Sequence, residues 1–475
     1  MPKRKWDASP GMHPSNPYSN NPPDFIALAE LYPSFKPFVT IKTSGPSTRG
    51  VIDFHDPVAL RELTYCLLRR DFSIELDIPI DSLCPAVPNR VNYICWIEDL
   101  MKNDTTSPIT GIDIGTGASC IYPLLGCARN KNWKMMATDI DDRSIACALE
   151  NVDRNGMQQS ITVMKSSLPE IFAQALFEEN DRKYDFCMCN PPFYKDEQDI
   201  QDSFEAKEDE PSAVCQGSSN EMMTTGGEVQ FVKQMVDESV QWQTRIRWYT
   251  SMLGKKSSVD KIVAHLKEQK VYNYVLSTLH QGKTMRWVVA WSFGDEHASW
   301  ASMQHVSNKL HKIAAPTTLL SFEVTDMAIE EALNGTKTIL DQLSISHRLS
   351  VVDPSRESEG TRTVQLDART NSWSRAARRA MARQTSNDES STIEDASVDS
   401  QSPVILSIDI RVSAPPKKRE SISESSSAST YLTMPNSLTI QMIWTFGRDR
   451  VLFESFFLHF RSRFLQLKST GVGNP

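Results

Sequence analysis

The stretch Thr110-Gly111-Ile112-Asp113-Ile114-Gly115-Thr116-Gly117-Ala118-Ser119 runs from a short apolar strand through a glycine turn towards a helix. Glycines at 115 and 117 let the backbone turn tightly and approach a ligand, while a helix start offers unpaired N–H groups that favour an anionic partner such as a carboxylate. Downstream, strands alternate with helices: a strand over 135–140, a helix over 142–155, a strand over 161–165, a helix around 169–177, and a strand over 185–189. Alternation of this kind predicts an α/β fold, a parallel sheet with helices on both faces. Right-handed crossovers then place a ligand at the carboxyl ends of the strands.

A glycine turn alone does not name the ligand, because dinucleotide-binding domains use three glycines at the same place and this sequence lacks the third. Asp139, ending the next strand in Ala137-Thr138-Asp139, stands where an acid accepts hydrogen bonds from two ribose hydroxyls. The two features together indicate an adenosine-containing cofactor and leave the chemistry open.

The chemistry is indicated by Tyr184-Asp-Phe-Cys-Met-Cys-Asn190-Pro191-Pro192-Phe193, an apolar strand that runs straight into Asn-Pro-Pro-aromatic. Two prolines fix φ and remove N–H donors, which leaves the Asn190 side-chain oxygen and the Pro191 carbonyl as paired acceptors. Such a pair holds both hydrogens of an exocyclic amine, and Phe193 can stack on a base taken out of its helix or loop. The tetrapeptide therefore reads as a site for methylating the nitrogen of a planar amine or amide.

Outward from this core, 475 residues with 40% hydrophobic content and 26 Pro suggest two folded units with polar linkers. Residues 1–23 read as a flexible arm and 24–295 as the catalytic domain. A small α+β accessory module over 296–351 and 403–475 follows, interrupted by a disordered insertion over 352–402 and a Ser-rich stretch over 421–429. Helices are predicted at 26–32, from Asp56-Pro57 onwards, and over 91–101. No run of about 18 apolar residues occurs, as a membrane-spanning helix would need. The nine Cys show no paired zinc-ligand spacing and read as buried thiols, with no metal site. A net charge of −8 excludes general coating of nucleic acid, yet residues 241–290 carry nine Lys or Arg against Asp260 and Glu268, a local +7. Within that segment Lys255, Lys256, Lys283 and Arg286 are the candidate nucleic-acid contacts.

Residues 113–126, 185–193, 226–233, 247–256 and 281–287 together resemble the methyltransferase-like 16 family of RNA N6-adenosine methyltransferases, across about residues 22–294. The resemblance implies a Rossmann-like class I methyltransferase with an N-terminal helical extension. It also implies S-adenosylmethionine as donor, a structured RNA partner with U6 small nuclear RNA as typical substrate, and residence in the nucleus. Arg90, in Pro88-Asn-Arg90-Val-Asn-Tyr93, is implicated with Gly115, Ser119, Asp139 and Asn190 as a cofactor contact, and Asp113 and Gly117 belong to the same turn. Asn190, Pro191, Pro192 and Phe193 are the implied catalytic group. The chain departs from the family after Phe193, where residues 194–226 read as an acidic mobile loop beside the site and the family's segment is basic. Alternatives are methylation of DNA adenine or of a protein glutamine, and an RNA-binding protein without activity.

Overall fold

Seven apolar runs of five to eight residues pair into the central sheet: β1 (Ile109–Ile114), β2 (Trp133–Asp139), β3 (Ile161–Lys165), β4 (Tyr184–Cys189), β5 (Ile246–Leu253), β6 (Tyr274–Gln281) and β7 (Thr284–Trp291). Their order is β3-β2-β1-β4-β5-β7-β6. The strands from β3 to β5 are parallel, whereas β7 runs antiparallel to both β5 and β6, with Gln281 paired to Thr284. The computed structural model describes residues 11–44, 47–101, 108–167, 169–172, 183–205, 219–282, 284–303, 310, 312–350, 361–379, 402–414 and 437–470. They fall into two units, Met1–Gly294 with Ala301–Ala315, and Asp295–Trp300 with Pro316–Pro475.

Helices α1 (Phe25–Leu31), α2 (Pro57–Phe72) and α3 (Val87–Leu100) precede the sheet. Next come α4 (Ile121–Arg129), α5 (Asp142–Arg154), α6 (Glu197–Glu205), α7 (Gly227–Trp242) and α8 (Lys256–Glu268). Local chemistry sets their starts: Asp56 accepts the Val58 N–H at 2.9 Å with Pro57 at the first position, and Asp141 accepts the Ser144 N–H at 2.8 Å. The helix expected around 169–177 lies mostly outside the described residues. On one side of the sheet, Val232, Met235 and Val236 of α7 and Val259, Ile262 and Val263 of α8 join a core with Tyr249 and Trp291, whose rings stack 5.7 Å apart.

The first correction concerns the arm. Residues 1–10 lie outside the described ones, but 11–23 are fastened rather than flexible. Asn92, fully buried on α3, accepts the His13 N–H at 3.0 Å and the Asn16 amide at 2.7 Å, and donates to the His280 carbonyl of β6 at 2.8 Å. His13 meets Asp99 at 3.1 Å, and the Tyr18 hydroxyl donates to Asp71 at 2.6 Å. Polar composition pointed to solvent; here the polar groups find buried partners instead.

The second unit holds β8 (Leu319–Thr325), β9 (Ser346–Leu349), β10 (Thr361–Ala368), β11 (Leu406–Ser413) and β12 (Ser437–Phe446), all antiparallel in the order β8-β12-β11-β10-β9. Helices α9 (Ile329–Gln342) and α10 (Arg450–Thr470) complete it. Phe453, Phe456, Phe460 and Phe464 form one buried stripe of α10 at helical spacing. A disordered insertion over 352–402 is the second correction. Strand β10 lies inside it, with Val364, Leu366 and Ala368 buried at every second position, and Trp373 donates to the Ser455 hydroxyl at 3.0 Å. The Ser-rich stretch 421–429 lies outside the described residues.

Replacing Asn92 by Ala leaves two donors and one carbonyl without partners in a dry environment, which costs roughly 2–4 kcal/mol of unfolding free energy. Urea titration checks this, and a loss below about 0.5 kcal/mol would mean that the arm is not held through Asn92.

Candidate active site

Strand register assembles the site. Ile114 of β1 pairs with Thr138 of β2 and with Cys189 of β4, so the next residues along each strand, Gly115, Asp139 and Asn190, emerge together at the carboxyl edge. The N–H groups of Gly115 and Thr116 both donate to the Thr138 carbonyl at 2.9 Å. Gly115 and Gly117 take φ of +70 and +64, a region that costs glycine little and other residues more. Asp139 fastens the turn: one oxygen accepts the Gly117 N–H at 2.8 Å and the other the Asp141 N–H at 3.0 Å. Each carboxylate oxygen keeps a second lone pair for a ligand. Ser119 is buried in the same turn. The helix expected from about Ala118 begins at Ile121, after Cys120 at φ +48.

Five of the ten buried side-chain polar atoms without a well-formed hydrogen bond among the described residues lie at this edge: Arg90 Nε, Asn190 Oδ1, and the Asp113 oxygens and Thr116 Oγ1, which have only each other close by. Arg90 reaches the edge from α3; it donates to the Tyr122 hydroxyl at 3.1 Å, and its guanidinium lies 5.4 Å from the centre of that ring. Burial pushes the Asp113 carboxyl up to about 7 and raises that of Asp139 too. Buried polar groups are normally satisfied, so this concentration marks a place made for a polar ligand. A Cβ built on Gly115 would meet nothing within 4 Å, so space opens over the turn. One cationic donor, a carboxyl, a hydroxyl and an amide oxygen suit a ligand with both an amino-acid and a nucleoside part. Thr116 and Tyr122 were not singled out from the sequence, although Thr116 sits between the two glycines. The thiols of Cys187 and Cys189 beneath the edge are buried and unbonded, and burial pushes Cys187 up to about 12.

Pro191 is buried and Phe193 half-buried. The Phe193 ring lies against Gly254, and the Arg286 guanidinium sits 5.4 Å from its centre. What holds that wall is Glu228, at the start of α7: its buried carboxylate accepts the Gly254 N–H at 2.6 Å, the Lys255 N–H at 3.0 Å and the Ser258 hydroxyl. It caps α8 from a neighbouring helix. Gly226-Gly227-Glu228 was the signal in the sequence, read only as part of a resemblance. Of the four expected RNA contacts, Arg286 and Lys255 gather beside Phe193 and Tyr194, with Lys255 Nζ 5.5 Å from the Tyr194 ring centre. Lys256 faces Asp260 one turn along α8 at 3.7 Å, and Lys283 lies outside the described residues. The acidic segment, read as a loop, starts as helix α6, and its Asp199 pairs with Lys255 at 2.8 Å.

An Asp that titrates higher in the folded protein than in the unfolded chain binds its proton more tightly when folded. Its contribution to stability is therefore full in acid and is lost as pH rises from about 4 to about 7. Asp113→Asn removes that loss, so the stability of the variant relative to the parent should rise across this window by on the order of 4 kcal/mol. Unfolding at a series of pH values measures it; a difference that does not vary with pH would show Asp113 ionised throughout.

A model of the RNA methyltransferase family matches residues 6–295. The RNA N(6)-adenosine-methyltransferase METTL16 of Mus musculus is 41% identical over 328 residues, 68% of this chain and 58% of that protein. The U6 small nuclear RNA (adenine-(43)-N(6))-methyltransferase of Caenorhabditis elegans is 42% identical over 302 residues, 59% of this chain and 62% of that protein. The chain thus spans about three fifths of the length of these relatives. Among solved structures, the hMettl16 catalytic domain in complex with MAT2A 3'UTR hairpin 1 is 42% identical with a TM-score of 0.56, covering 61% of this chain and 98% of that one. The N-terminal domain of human METTL16 in complex with SAH is 43% identical with a TM-score of 0.51, covering 60% and 99%. The mixed seven-stranded sheet is accordingly Rossmann-like, and with the family model spanning more than half of its length, the chain belongs to this RNA methyltransferase family.

Proposed function

We propose that this protein uses S-adenosylmethionine to methylate N6 of an adenosine in structured RNA, with U6 small nuclear RNA as substrate. The observation that carries the proposal is Asn190 Oδ1, buried and without a partner at the end of β4, directly before two prolines and an aromatic ring. The relatives named for adenosine N6 chemistry, one on U6 RNA, support it, as do the solved relatives bound to an RNA hairpin and to SAH.

Arg90, Asp113, Gly115, Gly117, Ser119 and Asp139 would hold the cofactor, with Asp139 serving the ribose. When bound, S-adenosylmethionine supplies a methyl group on a positively charged sulfur. The chain's own part is placement. Asn190 Oδ1 and the Pro191 carbonyl accept the two amine hydrogens and aim the nitrogen, while Phe193 offers a ring surface to the base. An amine nitrogen that gains a methyl group becomes acidic and could lose its proton to water, so no side chain of this site would have to act as base. Lys255, Lys256 and Arg286 contribute positive charge for phosphates. Catalysis is assigned to residues 24–295, and the second unit is proposed as an accessory RNA-binding module, supported by the basic stretch from Ser374. Nuclear residence is proposed from the substrate and from Lys3-Arg-Lys5 and Lys417-Lys-Arg419.

Incubation with labelled S-adenosylmethionine and a U6-like hairpin should label an adenosine. Asn190→Ala should lower transfer by about 10²–10³-fold while leaving RNA affinity close to that of the parent; equal loss of both would assign Asn190 to folding. Transfer to DNA or to a peptide glutamine, with none to RNA, would replace the proposed substrate. Charge reversal at Lys255 and Lys256 together should flatten the salt dependence of RNA binding by roughly two contacts, and an unchanged slope would remove that turn from the interface.

A further inference from the structure

The cation that the site offers at its rim is already engaged from within the chain. Lys255 Nζ lies 2.8 Å from Asp199 Oδ1 on α6, and the other oxygen of Asp199 accepts the Lys195 N–H at 3.2 Å, two residues after Phe193. Asp199 is only 19% exposed and Lys255 39%, so the pair is sheltered on the carboxylate side. The segment is built for this role by charge. In sequence, residues 196–205 hold Asp196, Glu197, Asp199, Asp202 and Glu205 with no Lys or Arg, whereas 241–290 is locally +7, and Asp199 and Lys255 are where the two segments meet. Backbone contacts fix where the segment leaves the site: the Tyr194 N–H donates to the Met222 carbonyl at 3.1 Å and the Thr224 N–H to the Tyr194 carbonyl at 3.0 Å. Burial alone would raise the Asp199 carboxyl, but the Lys255 ammonium and the Lys195 N–H outweigh it and hold it below the usual range.

We infer that Asp199 restrains RNA binding at this site, acting as an internal competitor for the Lys255 ammonium beside Phe193. The inference rests on the proposed function, since it takes the Lys255 turn as a phosphate contact. A carboxylate and a phosphate oxygen compete for one ammonium group, and both bind it more strongly as salt falls. RNA that reaches Phe193 has to displace Asp199. Asp199 is a positioning residue for Lys255 and touches no reacting atom.

The test compares Asp199→Asn, Asp196→Asn and the parent, each with Lys255 intact and as Lys255→Ala, in the full chain with an adenosine-containing RNA hairpin. Asp196→Asn removes the same charge at the same helix start, where Asp196 Oδ1 caps the Asp199 N–H at 2.8 Å, but Asp196 has no contact with Lys255. Asp199→Asn should tighten RNA binding by about three- to tenfold at low salt and steepen the log–log salt slope by roughly one contact. Asp196→Asn should do much less, and the gain should vanish in the Lys255→Ala background. A gain that persists without Lys255, an equal gain from Asp196→Asn, or no gain at all would each overturn the inference. Methylation by the parent is followed in parallel: its absence would sink the proposed function, whereas normal methylation with unaltered binding by Asp199→Asn would sink the competitor alone.

Discussion

The site depends on one close contact inside the sheet, the Phe186 ring of β4 lying on Gly111 of β1. The two residues are register partners in a parallel pair, and any Cβ at Gly111 would overlap that ring. Trp133 of β2 packs on the same ring, with centres 5.0 Å apart. A bulky ring that fits only over a glycine fixes the pairing, because sliding β4 by one residue would set Phe186 on Ile112 and turn its other side chains to the opposite face. With the register fixed, Ile114 meets Cys189, and the glycine turn and Asn190 leave the sheet side by side. The chain builds β2 and β3 on one side of β1 and returns to the other with β4, which makes this edge the switch point where open α/β sheets bind ligands.

Around that edge the protein departs from the rule that buried polar atoms find partners. Arg90 Nε and Asn190 Oδ1 stay unsatisfied, and a buried polar group of this kind costs about 1–3 kcal/mol. The surroundings hold the strain in place: Tyr122 fixes Arg90, Asp139 fixes the turn, and the sheet fixes Asn190. A ligand that completes these bonds recovers the cost. Glu228 plays the complementary part, accepting from three donors at once and so fixing the wall behind Phe193.

Legibility in the sequence followed the range of the interactions. The alternating strands, the glycine turn, Asp139 and the Asn-Pro-Pro-Phe group were readable because each is a short contiguous pattern with a local cause. The fastening of residues 11–23 was not, since it depends on Asn92 in α3, far along the chain. Strand β10 was hidden because Thr361-Arg-Thr-Val-Gln-Leu-Asp-Ala368 is short and flanked by polar, low-complexity residues, and only pairing to β9 and β11 gives it a partner. The helical character of α6 was masked by its acidity.

By itself the sequence determined the fold class and marked the glycine turn, Asp139 and the Asn-Pro-Pro-Phe group as one candidate site, because periodicity, turn glycines and proline-fixed acceptors act over a few residues. Only the tertiary structure decided which polar atoms stay unpaired at the switch point, that Glu228 caps a neighbouring helix, and that Asp199 takes up Lys255. Those outcomes depend on groups dozens of residues apart meeting within hydrogen-bond distance, and charge counted along a chain cannot say whether two opposite charges face solvent or each other.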